Sequence, residues 1–352
     1  MKKRRKPVVL AGWLLVFLMS FGSVQQISGQ NGYMDAIPVQ ADTSADEDVY
    51  VSGQTIGIYM ETKGVLVVDA GEIRNENGLS VKPAEHIVKQ GDYLMEAEGS
   101  QLKTKQQLVE LVNQSNGKKL EFSVLRNGET IRLTMTPIRT EDGSYKLGIW
   151  VRDNLQGIGT VTYVKEDGSF GALGHGISDV DTGGLLQLKD GEVYRADILS
   201  VTRGENGKPG ELQGVIDYRI DNKMGTIVEN QKLGIFGKIN ASDIYLKKVP
   251  VGKKEEITTG AAEILSCVDG TVQQYQVEIT DIDWNHKDSN KCFTIRVTDE
   301  NLLKKTGGIV QGMSGSPILQ NGKLVGAVTH VLVHDSASGY GIFIENMLGK
   351  QR

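Results

Sequence analysis

The sequence predicts a mainly β protein, a compact mixed unit followed by a larger region built almost wholly of strands. Two observations carry that reading. Glycine is abundant and proline scarce, 43 against 7 in 352 residues, and short Val/Ile/Thr/Leu runs recur between Gly-, Asn- and Asp-rich turns. Only one segment carries a full set of helix start and stop signals. A chain of 352 residues is long enough for two domains with proper cores.

The N-terminus comes first. Lys2-Lys3-Arg4-Arg5-Lys6 precedes an uncharged apolar run from Val8 to Phe21, so residues 1–24 are expected to be a signal peptide or an N-terminal membrane anchor. The rest of the chain is then translocated out of the cytoplasm. Residues 25–49 are polar, without apolar periodicity, and are expected to form a flexible linker. A formal net charge of -5, with no basic stripe beyond the first residues, argues against a nucleic-acid partner. Two cysteines, Cys267 and Cys292, are too few for a disulfide framework or a four-ligand zinc site. They fit either one bridge or two small core residues. No metal or organic cofactor is expected.

Residues 50–153 are expected to fold as one unit. Strand-like runs at Thr55–Met60 and Val65–Asp69 lead to a turn and to Gly91-Asp92 introducing another strand. A helix over Lys105–Asn113 follows. Thr104 is its cap with Gln107 three residues on, Leu108, Leu111 and Val112 share a face, and Gly117 ends it. Arg126-Asn127-Gly128-Glu129 joins two further strands as an Asn-Gly hairpin. This order of elements resembles a bacterial PDZ domain. The resemblance makes Ile56-Gly57-Ile58 the carboxylate-binding loop and implies recognition of an extended peptide tail. The plain alternative for Ile56-Gly57-Ile58 is an ordinary strand start.

From residue 154 to 352 strands dominate, among them Gly157–Val164, Phe170–Leu173, Gly234–Ile239, Phe293–Val297 and Leu324–Val333, which fits a barrel or a pair of barrels. One turn within them stands apart: Gly312-Met313-Ser314-Gly315-Ser316-Pro317, followed by apolar strands around Asn321-Gly322. A serine between glycines in a tight turn is the way chymotrypsin-like peptidases present a nucleophile. The amides of Gly312 and Ser314 would form the oxyanion hole.

Ser314 needs a base. Of the five histidines, His175 is flanked by Gly174 and Gly176 at a strand end, where its ring is exposed and another backbone can approach. His86 and His286 lie in polar loops, and His334 in a turn beside Asp335. His330 lies in the strand after the serine turn, where a satisfied sheet histidine is expected. The orienting acid is open between Asp299, which ends a strand fifteen positions before Ser314, and Asp179 or Asp181, which a plain Asx turn also explains.

Gly174-His175-Gly176, Asp181-Thr182-Gly183 and the run Thr306 to Pro317 resemble the stage IV sporulation protein B peptidases of endospore-forming bacteria, and the order anchor, PDZ-like unit, peptidase is the same. The resemblance implies a chymotrypsin-like double β-barrel and a triad of His175, Asp299 and Ser314. It also implies secretion from the forespore and self-cleavage in the N-terminal segment, with membrane association at least until then. The substrate would be an extracytoplasmic part of a membrane-embedded regulatory complex, whose cleavage releases intramembrane proteolysis and activates a late mother-cell sigma factor. Two departures from ordinary chymotrypsin-like enzymes are visible. Met313 stands where their serine is preceded by an aspartate, which excludes activation by that ion pair. Asp299 lies nearer the serine than the histidine, the reverse of their order. A rival reading, a secreted PDZ scaffold on a non-catalytic barrel, would make Gly312–Pro317 only a tight hairpin.

Overall fold

A computed structural model describes residues 48–285 and 290–349. The expected signal or anchor, nearly all of the expected linker, and His286 lie outside the described residues. Among those described, no helix is long and apolar enough to cross a membrane.

In chain order the principal elements are β1 (Asp48–Val51), β2 (Thr55–Ala70), β3 (Tyr93–Ala97), α1 (Lys105–Gln114), β4 (Leu120–Arg126), β5 (Glu129–Met135), β6 (Ile149–Val164), β7 (Ser169–Ala172) and β8 (Leu188–Thr202). They continue with β9 (Glu211–Ile216), β10 (Lys223–Gln231), β11 (Gly234–Ile239), β12 (Gly260–Ser266), β13 (Gln273–Ile282) and β14 (Phe293–Val297). The chain then runs through α2 (Glu300–Thr306), β15 (Pro317–Gln320), β16 (Lys323–Leu332), β17 (Asp335–Phe343) and α3 (Ile344–Leu348).

Two barrels result. In the first, β2, β6, β7, β11, β10 and β8 pair in a ring that closes where β6 returns to β2. In the second, β12, β13, β14, β17, β16 and β15 close on themselves. Within each barrel closure leaves no unpaired edge, so the barrel strands can stay in water without templating aggregation. The side-chain period of two supplies each core. On β13 and β14, Tyr275, Val277, Ile279, Phe293, Ile295 and Val297 are buried while Glu278 and Arg296 face out. Fully burying one such apolar side chain stabilises the fold by roughly 1.5–3 kcal/mol, so a core cluster of this size makes the second barrel a rigid wall.

The PDZ-like domain is an insertion in the first barrel, not a unit that precedes it. Its core of Val65, Val67, Leu94, Leu108, Val112, Phe122, Val124 and Leu147 is separate. It is framed by the far half of β2, by β3, β4 and β5, and by the near half of β6. The boundary expected at residues 50 and 153 therefore moves. β2 and β6 pair antiparallel in two stretches, Ile149↔Ala70 to Arg152↔Leu66 in the inserted domain and Asn154↔Glu61 to Thr160↔Thr55 in the barrel, with a register shift between them. Each strand is long enough to serve both domains.

Several local expectations hold. Thr104 caps α1, its hydroxyl accepting from Gln107 N at 3.2 Å. Asn127 and Gly128 have φ of 51° and 85°, as a type I′ hairpin requires. The run Thr55–Met60 and the run Val65–Asp69 are instead one continuous strand. Cys267 and Cys292 are buried and form no disulfide, so the second of the two cysteine readings applies. Burial pushes both thiols above their ordinary pKa.

Candidate active site

The serine turn is a four-residue β-turn closed by Ser316 N donating to Met313 O at 2.9 Å. Gly315 is its third residue with φ +97°, a conformation that favours glycine. A Cβ there would also overlap Thr160 O and Leu173 N of the first barrel. The turn belongs to the second barrel, where Gly315 N donates to Val328 O at 2.7 Å. It is also tied to β6 of the first. Thr160 N donates to Ser314 O at 3.0 Å. The hydroxyls of Thr160 and Thr162 donate to Gly312 O and Gly315 O, each at 2.8 Å. The turn is thus held from both sides, and Met313 beneath it is fully buried.

Neither the Gly312 amide nor the Ser314 amide donates to another described residue, and both residues line the cleft between the barrels. Unspent backbone donors beside a serine hydroxyl are what an oxyanion hole consists of. The hydroxyl of Ser314 itself donates to Thr329 O at 2.7 Å.

His175 is delivered to the same cleft from the end of β7. Leu173 and Gly174 have φ of 71° and 67°, a double left-handed step that turns the chain sharply. It brings Gly174 against Thr329 and Ile342 so closely that a Cβ would touch both. His175 Nδ1 lies 2.9 Å from Gly176 O. A carbonyl only accepts, so Nδ1 carries the proton and Nε2 keeps the lone pair needed for base catalysis. Burial pushes the His175 pKa below its ordinary 6.5, opposed by the Gly176 carbonyl.

The acid is placed differently from expectation. Asp299 is the N-cap of α2: its carboxylate accepts from Leu302 N at 2.9 Å, and it does not line the cleft. The unpaired amides of a helix start attract a carboxylate, which explains its position. Asp179 and Asp181 both pair with Arg152, and Asp179 also accepts from the amides of Asp181 and Thr182. That is the Asx turn of the plain reading. Among the described residues no carboxylate hydrogen-bonds to His175. The Gly176 carbonyl fixes the tautomer, a role that sequence reasoning missed because a backbone atom leaves no composition signal.

His330 departs from expectation too. It lines the cleft, its ring centroid is 4.8 Å from that of His175 at an interplanar angle of 36°, and its buried Nδ1 has no partner among the described residues. His334 and His86 are exposed, as their loops suggested.

Ile56-Gly57-Ile58 is not a carboxylate-binding loop. It lies within β2, paired on one side with Gly157–Gly159 of β6 and on the other with Val193–Arg195 of β8. Ile56 and Ile58 are buried, so no edge is left for a peptide. The inserted domain offers another site. A groove of about 480 Å³ lies between Leu108, Val109 and Val112 of α1 and the stretch Tyr145–Val151. Leu147-Gly148-Ile149 there repeats the apolar–Gly–apolar pattern, and Gly148 has φ +67°. Ile149–Arg152 pairs with β2 on one side and has no strand on the other among the described residues.

A double barrel with a serine turn and a histidine across one cleft is the architecture of a serine endopeptidase, here carrying an inserted PDZ domain. Residues 143–348 match the model of the SpoIVB peptidase family, S55. That is more than half of the chain, and the chain belongs to this family. Solved structures with a similar course include the PDZ domain of an SdrC-like protein from Listeria monocytogenes (16% identity, 25% of this chain and 87% of that one, TM-score 0.22). The Rv3671c protease from M. tuberculosis in its active form is 16% identical over 55% of this chain and 72% of that one, TM-score 0.32. The HtrA-type protease AlgW with a decapeptide is 10% identical over 86% and 64%, TM-score 0.34.

Proposed function

We propose that this chain is a self-cleaving signalling peptidase with Ser314 as nucleophile and His175 as base. It would be secreted from the forespore and would cleave an extracytoplasmic part of a membrane-embedded complex. That cut would release intramembrane proteolysis and activate a late mother-cell sigma factor. The observation that supports the chemistry best is the serine turn, with two unspent amides in the cleft that His175 shares. Membership of the sporulation peptidase family and the basic, apolar N-terminus support the setting.

In the acyl step the Ser314 hydroxyl turns from Thr329 O towards His175. Oγ bonds to the scissile carbonyl carbon while its proton passes to His175 Nε2. The carbonyl oxygen, now negative, sits between the Gly312 and Ser314 amides. His175 returns the proton to the leaving amine as the C–N bond breaks. Water then enters by the reverse sequence and frees the acid. The groove beside α1 would receive an extended tail, either the chain's own N-terminal segment or that of the target. No metal takes part in this scheme.

The test is purified wild-type protein followed over time by mass analysis beside Ser314→Ala. The wild type should shorten near its N-terminus and the variant should not. Equal shortening of a folded Ser314→Ala protein would remove the mechanism.

A further inference from the structure

His330 has no place in the scheme above, yet everything around it is built to bring it to His175. β16 and β17 pair Val328 with Gly341 and His330 with Tyr340, so Thr329 is one residue too many. A bulge of this kind bends a strand and re-aims the side chain that follows. The bulged residue is held on three sides. Thr329 O accepts from the Ser314 hydroxyl, and its own hydroxyl shares its one proton between Asn290 O at 2.7 Å and Tyr340 O at 3.2 Å. Gly174 presses on its methyl group. The outcome is an imidazole laid against the base, with a buried ring nitrogen that bonds to none of the described residues. A buried polar atom without a partner keeps its desolvation penalty uncompensated, which asks for a use.

We propose that His330 is a positioning residue for catalysis, its ring holding His175 in place and its buried imidazole stabilising the imidazolium that forms there. This rests on the reading of Ser314 and His175 as nucleophile and base.

The charge pattern agrees with that use. The groups that act on His330 are His175 across the cleft and Lys291, whose ammonium also lies 5.1 Å above the ring of Tyr340, its pairing partner. Burial pushes the pKa of His330 down and the two basic groups add to it, to about 4. Both rings are therefore uncharged at rest near neutral pH, and His175 is the one that takes a proton, in the acyl step. The His175 imidazolium then faces a neutral neighbour. The Gly176 carbonyl fixes the tautomer, while His330 would supply the remaining stabilisation.

The test uses a fluorophosphonate probe on the full chain. Labelling joins the Ser314 oxygen to phosphorus and expels fluoride, with the hydroxyl proton passing to His175, so its rate reports base strength without knowledge of the substrate. His330→Phe keeps a ring and removes both nitrogens; His330→Gln keeps a polar acceptor. The expected result is a fall in the plateau labelling rate of about ten-fold or more for His330→Phe. The midpoint of its pH profile should move to lower pH, because an unsupported His175 is a weaker base. His330→Gln should recover part of both. Labelling by His330→Phe within about two-fold of wild type, or a fall with an unmoved midpoint, would overturn the proposal, the second because it leaves only packing. If His330→Phe does not fold, His330→Gln decides on the same two readings against wild type. Ser314→Ala must stay unlabelled; if it is labelled, the reading of the site fails and not merely that of His330.

Discussion

A carboxylate that caps a helix and one that backs an imidazole can look alike in sequence: a single aspartate after a strand. Asp299 was legible as important and not as to role, because the amides that hold it belong to residues that follow it. The two roles make opposite predictions. As a cap, Asp299→Asn should be nearly neutral, whereas Asp299→Ala should lose about 1 kcal/mol of stability with fluorophosphonate labelling intact in the folded protein. As a triad acid, Asp299→Asn should lower the rate about 10⁴-fold, as misorienting the imidazole does in chymotrypsin-like enzymes. Thermal unfolding and labelling of the two variants separate them. The histidine pair adds a pH prediction. Both rings have folded pKa values below the ordinary 6.5, His330 near 4. The unfolded chain then binds more protons in that interval, so stability should fall as pH drops from about 6.5 towards 4. His330→Gln should flatten the slope of chemically induced unfolding free energy against pH over that interval.

At the scale of elements, local signals were read well and partners were not. The cap and face of α1 and both Asn-Gly hairpins are written in residues adjacent in the chain, so the sequence declares them. Apolar alternation identifies a strand without saying what lies beside it. Ile56-Gly57-Ile58 and Leu147-Gly148-Ile149 carry the same pattern. Only the pairing of β2 on both edges, against the open edge at Ile149–Arg152, decides between them. His330 was misread for a related reason: alternation places it in a sheet, and the bulge at Thr329 that re-aims it depends on a register set by β17. The groove beside α1 gives the test at this scale. Val109 is 54% exposed on its rim, so Val109→Glu should alter stability by no more than about 0.5 kcal/mol and leave labelling of Ser314 unchanged. Binding of a fluorescent peptide with an apolar C-terminus should weaken about ten-fold, about 1.4 kcal/mol. Unaltered peptide affinity would place recognition elsewhere.

For the molecule as a whole, the insertion matters most. The inserted domain and the first barrel share β2 and β6, whose pairing shifts register between Arg152 and Asn154 at the junction, so a load on the groove reaches the barrel through two continuous strands and not through a flexible linker. The far end of β6 carries Thr160 and Thr162, whose hydroxyls hold the serine turn. The same arrangement dictates how the domain can be removed. Deleting Tyr50–Ile138 as a self-contained PDZ unit would take away β2, break the ring of the first barrel, and release the turn that Thr160 and Thr162 hold. Cutting instead from Lys63 to Arg152, and joining Thr62 to Asp153 through Asn-Gly, keeps Glu61 beside Asn154 as they pair now and completes a hairpin of the preferred type. The second protein should fold and be labelled at Ser314 at close to the wild-type rate while losing affinity for peptide tails. The first should be unfolded by circular dichroism and unlabelled. If the deletion from Tyr50 folds and is labelled, the first barrel does not need β2, and the interlocked arrangement of the two domains is wrong.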